Sequence, residues 1–212
     1  MNPKEIFYEN LAQTIIKNME KRQIEACYCK TKEEALAKAN SYLTKGSTVS
    51  FGGSMTLTES GMMDSLKSNP NITLFDRSLA KTPDEVKEIY HKALSCDYYF
   101  MSSNAITKDG KLVNIDGNGN RVAALIYGPE HIIILAGMNK IAADEAEAIQ
   151  RVHEQAAPPN CNRLSKNTPC AVTGTCADCQ SPDCICCQTV ITRRSAVANR
   201  IKVILIGEEL GY

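Results

Sequence analysis

A chain of 212 residues with 43% apolar side chains can build one domain with a full core and has no compositional need of disulfide staples. Its 24 basic and 24 acidic residues balance, without a long basic run, which argues against capture of nucleic acid or of an anionic membrane. The N-terminal MNPKEIFYENLAQTIIKN is charged throughout and lacks the apolar region of a signal peptide, and no stretch approaches the ~20 apolar residues of a bilayer span, so the expected setting is the cytoplasm.

Residues 3–22 place Ile6, Leu11, Ile15, Ile16 and Met19 at helical spacing. IEACYC (24–29) reads as a strand, and Thr31 with Glu34 signals a capped helix to about residue 43. STVSF (47–51) is a strand broken by GGS before a segment of helical periodicity through Leu66, and NITLF (71–75) is again strand-like. TPDEVKEIYHKAL (82–94) carries a cap, a first-position proline and early acids, so it predicts a helix, and DYYFMSS (97–103) a strand. This alternation implies parallel strands with crossover helices. The rhythm then changes. AITKDGKLVNI holds the Asp109-Gly110 hairpin signal, VAALIYG (122–128) and HIIILAG (131–137) read as strands, and IAADEAEAIQRVHEQA (141–156) as a long helix. VILI (203–206) reads as one more buried strand. The organisation expected is a single α/β domain over 1–212, with a cysteine-rich segment, 158–190, inserted before the last strand.

Three stretches could hold a ligand. In SFGGSMTLTESG a strand runs through Gly52, Gly53, Ser54 and Thr56 into a helix, which suits a phosphate or carboxylate; a plain capped turn is the alternative. Glu59, about one turn past Ser54, is a candidate general base or an ordinary surface glutamate. NIDGNGNR (114–121) has the density of Asp, Asn and Gly that makes turns and amide nests, and Arg121 could fork a carboxylate; a self-satisfied hairpin loop is the alternative. GMNKIAADE sets Asn139 and Lys140 at a strand end. All three belong at carboxyl ends of strands, where open α/β sheets bind ligands.

The fourth stretch is PCAVTGTCADCQSPDCICC, residues 169–187, which contains six of the ten cysteines, with Cys161 just upstream. Cytoplasmic thiols stay reduced, so a metal or cluster site and a dithiol relay stand ahead of a disulfide staple. Cys170, Cys176, Cys179 and Cys186 supply four thiolates around one C-x-x-C, enough for zinc or an iron–sulfur cluster. Neither His91, His131 nor His153 is spaced as a zinc ligand, and the excess of thiols favours iron–sulfur over zinc.

NAITKDGKLVNIDGNGNRVAALIYGP, IIILAGMNKI, APPNCNRL and PC-x-x-TG-x-C-x-DC together resemble the lactate-utilisation (LUD) domain family, closest to its short bacterial members with a C-terminal cysteine segment. The resemblance implies a three-layer α/β sandwich with a mostly parallel sheet, similar to ribose-5-phosphate isomerase, glucosamine-6-phosphate deaminase and CoA transferases. It implies ligand contacts from Gly52, Gly53, Ser54, Thr56, Asn104, Asp116, Gly117, Gly119, Asn120, Arg121, Asn139 and Lys140. It also implies metal ligation by Cys170, Cys176, Cys179 and Cys186, with Cys187 standing where the family has asparagine, which leaves Cys186 or Cys187 as fourth ligand. The function implied lies in lactate or related 2-hydroxy-acid metabolism. It involves a small anionic ligand, an iron–sulfur cluster of the 4Fe–4S type, an iron–sulfur electron-transfer partner and room for a homodimer. The alternative is a non-redox enzyme or ligand sensor with a structural zinc, Glu59 or Asp116 then being the candidate base. A pure interaction module, its cysteine lobe docking a partner, is the third reading. No G-x-G-x-x-G dinucleotide fingerprint is present.

Overall fold

The computed structural model describes residues 2–212 and contains two sheets. The first half alternates as the sequence implies: α1 (Pro3–Glu20), β1 (Glu25–Cys29), α2 (Lys32–Asn40), β2 (Thr48–Phe51), α3 (Met55–Glu59), α4 (Met62–Ser68), β3 (Thr73–Phe75), α5 (Pro83–Ala93) and β4 (Tyr98–Met101). Local chemistry sets these boundaries. Thr31 and Thr82 accept from the amides of Glu34 and Glu85, while those two carboxylates accept from Lys30 and Lys81, reciprocal caps that start α2 and α5. Gly61, at φ +76, separates α3 from α4.

β5 (Ala105–Thr107) and β6 (Leu112–Asp116) form the expected hairpin, with Gly110 at φ +90 in its turn. β7 (His131–Gly137) follows α6 (Asn120–Ile126), and β8 (Ile141–Ala142), α7 (Glu145–Arg151), α8 (Ala157–Arg163), α9 (Pro169–Thr173), β9 (Gln188–Thr192) and β10 (Ile201–Ile206) complete the chain. The main sheet is wholly parallel, in the order β1-β10-β7-β4-β2-β3. Its last strand enters the middle, with Val203 opposite Ala26 on one side and Ile134 on the other. The second sheet runs β8-β5-β6-β9. Both β9 and β10 follow the cysteines, so the chain leaves the sheets for that segment and returns to both.

Residues of α1, α5 and α6 pack on one face of the main sheet, against Ile132, Ile134 and Leu205; those of α2, α3 and α4 pack on the other, against Ile133, Leu135 and Ile204. The fold is therefore an α/β/α sandwich. Strands buried on both faces read as continuous apolar runs, as IIIL and VILI do.

Two elements differ from the sequence reading. VAALIYG is not a strand but most of α6. The Asp116 carboxylate accepts from the amides of Arg121 and Val122, which nucleates a helix, and Arg200 donates to the carbonyls of Ala124 and Leu125 at its other end. The helix expected over 141–156 begins at Glu145, because Asp144 caps the amide of Glu147 and Ile141–Ala142 joins the second sheet. It runs on to Arg163 through a π-turn, Val152–Ala156. Pro158 and Pro159 lack N–H groups and would crowd the carbonyls of Glu154 and Gln155 in a regular helix; the wider turn relieves that crowding.

Ile134 is fully buried at the centre of the main sheet. Ile134→Ala is expected to lower the unfolding free energy by about 2–5 kcal/mol in denaturant titration, and a loss below about 1 kcal/mol would contradict its central placement.

Candidate functional site

A cavity of about 390 Å³ opens where several strands end. Gly53 and Ser54 follow β2, Arg77 follows β3, Ser102 follows β4, and Asp116 closes β6, while Lys140 stands three residues past β7. Val152, Ala156 and Asn160 of the π-turned helix form a second wall, and Ile185 and Cys186 a third. In a chain of zero formal charge, the charged side chains lining this space are Arg77, Arg121, Lys140, Arg163 and Lys166 against Asp116 alone.

Arg121 is the most constrained of them. One terminal nitrogen donates to the Ser102 carbonyl at 3.3 Å and to Asn114 Oδ1. The other donates to Asn104 Oδ1 at 2.8 Å and the Ile115 carbonyl at 3.0 Å, and Nε faces Asp116 at 3.6 Å. Both terminal nitrogens are thus committed to the protein. Arg121 lends charge to the cavity but does not present the free carboxylate fork expected from sequence. Gly52 is explained by the same side chain: a Cβ there would stand 3.1 Å from Arg121 Cδ, and one on Gly53 would stand 2.6 Å from an Arg77 nitrogen. Gly52 makes room for the Arg121 stem, while Gly53 lines the cavity beside Arg77.

Lys140 is buried at 3% exposure, and its ammonium donates to Thr56 Oγ1 at 2.8 Å and Ser102 Oγ at 3.1 Å. Among the described residues no carboxylate stands within ion-pair distance of it. Burial, reinforced by the Arg151 and Arg121 guanidiniums and opposed by Glu59, lowers its pKa to about 7. A charged amine without an acid partner, facing a cavity, is what a site for an anion requires.

The other residues singled out by sequence divide into two groups. Ser54, Asn104, Asp116, Gly117 and Asn120 line the cavity with Arg121 and Lys140. Thr56, Glu59 and Asn139 instead fasten the last residues. Thr56 donates to the Leu210 carbonyl, Glu59 accepts from Gly211, and Asn139 accepts from Leu210 and donates to Gly211. The Tyr212 side chain thereby reaches the cavity wall, with its buried hydroxyl unpartnered. Gly119 sits at φ +81 ahead of α6, a turn geometry that favours glycine. Ser54 caps α3, which has only five residues.

The cysteine segment is docked on this mouth. The Cys187 amide donates to the Asp116 carbonyl at 2.9 Å, β9 pairs with β6, and a Cβ on Gly117 would stand 3.2 Å from Ile185 Cα. Two motifs far apart in sequence, DGNGNR and the cysteine run, therefore share one wall. Cys170 and Cys161 lie 3.7 Å apart sulfur to sulfur, and Cys176 Sγ lies 3.5 Å from His153 Nδ1. Backbone amides of Asp178 and Cys186 approach the sulfurs of Cys176 and Cys184 at 3.5 and 3.4 Å. Burial pushes the Cys186 thiol up to about 12, helped by Cys184, Cys161, Cys176 and Cys170 around it, whereas Cys187 is exposed. Six half-buried or buried thiols, two of them approached by backbone amides, suit a thiolate-held group in chemistry. In arrangement they stand as pairs: among the described residues no three His, Cys, Asp or Glu side chains converge on one point.

The LUD domain family model matches residues 12–206. The chain belongs to the LUD domain family. No curated protein matches the sequence. Among solved structures, a DUF162 family protein from Deinococcus radiodurans matches at TM-score 0.51 and 9% identity, over 94% of this chain and 98% of that one. Partial overlaps reach eIF2B beta and eIF2B delta of Chaetomium thermophilum, at TM-scores of 0.37 and 0.34 and identities of 12% and 17%. They cover 54% and 52% of this chain, and 44% and 48% of those chains.

Three residues of this LUD domain escaped the sequence reading. Arg77 reaches the cavity from the end of β3 and lies over the Tyr90 ring at 5.7 Å; the strand-end rule applied to NITLFDR would have found it. Ser102 was read only as part of a strand. His153, not spaced as a zinc ligand in the sequence, is the neighbour of Cys176, so a histidine does stand at the thiols. Contact across 23 positions leaves no local signal.

Replacing Arg121 strands the oxygens it holds. Arg121→Met is expected to destabilise the domain by roughly 3–5 kcal/mol in denaturant titration. A loss under about 1 kcal/mol would show that the guanidinium is not the strut described.

Proposed function

We propose that this LUD domain binds a small carboxylate of the 2-hydroxy-acid or 2-oxo-acid class at the mouth, as part of lactate or related metabolism in the cytoplasm. The observation that carries the reading is the charge of the cavity: five basic side chains against one carboxylate, with Lys140 buried and free of an acid partner. Arg77, also without an ion-pair partner among the described residues, is the candidate to meet a carboxylate directly. Ser54 and Ser102 add hydroxyls suited to orient a 2-substituent.

The cysteine lobe is proposed to hold an iron–sulfur cluster on Cys170, Cys176, Cys179 and Cys186, which would carry single electrons to a partner protein. Support comes from the density of thiols, from the amide donors at Cys176 and Cys184, and from Cys186, which lines the anion cavity itself. The pairing of the thiols means that loading would draw them together. A second reading has its own observation: His153 beside Cys176 offers a mixed Cys/His set, which suits zinc. No helix among the described residues is long and apolar enough to cross a membrane.

Isothermal calorimetry with L-lactate tests the mouth. Lys140→Met is expected to weaken binding about thirtyfold, matching the roughly 2 kcal/mol lost when one partner of a buried charge contact is removed. Arg77→Ala should weaken it as well, and no binding of lactate, pyruvate or phosphate to the unaltered protein would refute the reading.

Anaerobic purification with iron, sulfide and zinc counted per chain tests the lobe. Near-stoichiometric iron and sulfide, lost in Cys179→Ala, is the expected result; one zinc and no iron would replace the cluster by a structural clasp.

A further inference from the structure

Lys140 has more than the requirements of an anion ligand. A lysine that only grips a carboxylate works best when it is solvated enough to stay charged, as a compact and strongly hydrated ammonium. This one is withdrawn from water, held by two hydroxyls, and flanked by the Arg121 and Arg151 guanidiniums, which stand near enough to oppose its charge. Desolvation and neighbouring cations are the two devices that make a lysine amine nucleophilic near neutral pH. Both are present, and the amine lines a cavity with room for a small organic acid.

We propose that Lys140 forms an imine with the carbonyl carbon of a 2-oxo acid bound in the mouth. The inference rests on the carboxylate site proposed above and adds a covalent step to it. Arg77, and Arg163 at the rim, would hold the carboxylate, while the neutral Lys140 nitrogen attacks the carbonyl carbon. The amine's two protons pass in turn to the carbonyl oxygen: the first gives a carbinolamine, and the second lets the hydroxyl leave as water. A C=N bond replaces C=O and no electrons are gained or lost. Ser102 Oγ, 3.1 Å from Nζ, is placed to hand a proton between the two heteroatoms. The lowered Lys140 pKa supplies the neutral amine at neutral pH without a dedicated base, in keeping with the absence of any carboxylate paired to it among the described residues.

The test uses the full chain with pyruvate as probe and sodium borohydride as trap, followed by peptide mapping by mass spectrometry. L-Lactate, which has the same carboxylate and no carbonyl, serves as control. Expected is one carboxyethyl group on the Lys140 peptide, at least about tenfold above any other lysine, because ordinary lysines titrate near 10.4 and stay charged at pH 7. Lactate should yield no adduct and should compete with pyruvate. Because the map is read on the unaltered protein, the assignment does not depend on a variant folding; Lys140→Arg, which keeps a cation and cannot form the imine, should abolish the label. If pyruvate and lactate both bind by calorimetry yet no Lys140 adduct forms between pH 6 and 9, the imine is overturned and the carboxylate site stands. If neither binds, both fall. Label spread evenly over surface lysines, or retained at its full level in Lys140→Arg, would also overturn the proposal.

Discussion

The mouth of this LUD domain depends on one buried guanidinium. Arg121 enters under Gly52 and binds Ser102 beyond the main sheet, Asn104 ahead of β5, and Asn114 and Ile115 within β6. Through these oxygens it ties the parallel main sheet to the mixed second sheet. Burying a charge this way is unfavourable unless its donors find partners, and here both terminal nitrogens do while Nε faces the Asp116 carboxylate. The arrangement explains the glycine at position 52, since a methyl group there would intrude on the arginine stem. It also removes Arg121 from ligand recognition while leaving its charge beside Lys140.

A second constraint places the thiols. The chain leaves α8, runs through the cysteines, then pairs as β9 with β6 and as β10 between β1 and β7. Because β10 is inserted inside the main sheet, between β1 and β7, the lobe cannot separate from the domain without opening the core. Its inner edge, Ile185 and Cys186, is pressed on Gly117 and forms a wall of the cavity. A ligand in the mouth and whatever the lobe holds would therefore lie on two sides of the same few residues. The π-turn contributes in the same place, turning His153 toward Cys176 and Val152 toward the cavity.

Much of this was legible in sequence because local physics fixed it. Thr31 with Glu34, Thr82 with Pro83, and the IIIL and VILI runs announced helices and buried strands from nearest neighbours alone. VAALIYG misled because its apolar run fits a strand as well as a helix, and the decision is made by Asp116 and Arg200, the latter 75 and 76 positions from the carbonyls it binds. The same limit applies to the site. Gly52, Arg121 and Lys140 were visible as motif residues, but their division of labour was not. Whether an arginine forks a ligand or braces two sheets depends on oxygens supplied by other segments. The conjunction of His153 with Cys176, and of Cys187 with Asp116, arises only from tertiary pairing.

The account converges on Lys140, a buried amine between Thr56 and Ser102 that faces a cationic cavity and has no acid beside it among the described residues. An anion would restore its charge balance, and a carbonyl compound would use its neutral form; both depend on the same displaced proton equilibrium. Carbon-13 NMR of lysine Cε, titrated in the unaltered chain and in Lys140→Met, measures that equilibrium directly. The account predicts one lysine resonance turning at about pH 7, missing from the variant. A Lys140 resonance that titrates with the surface lysines near 10.4 would contradict it.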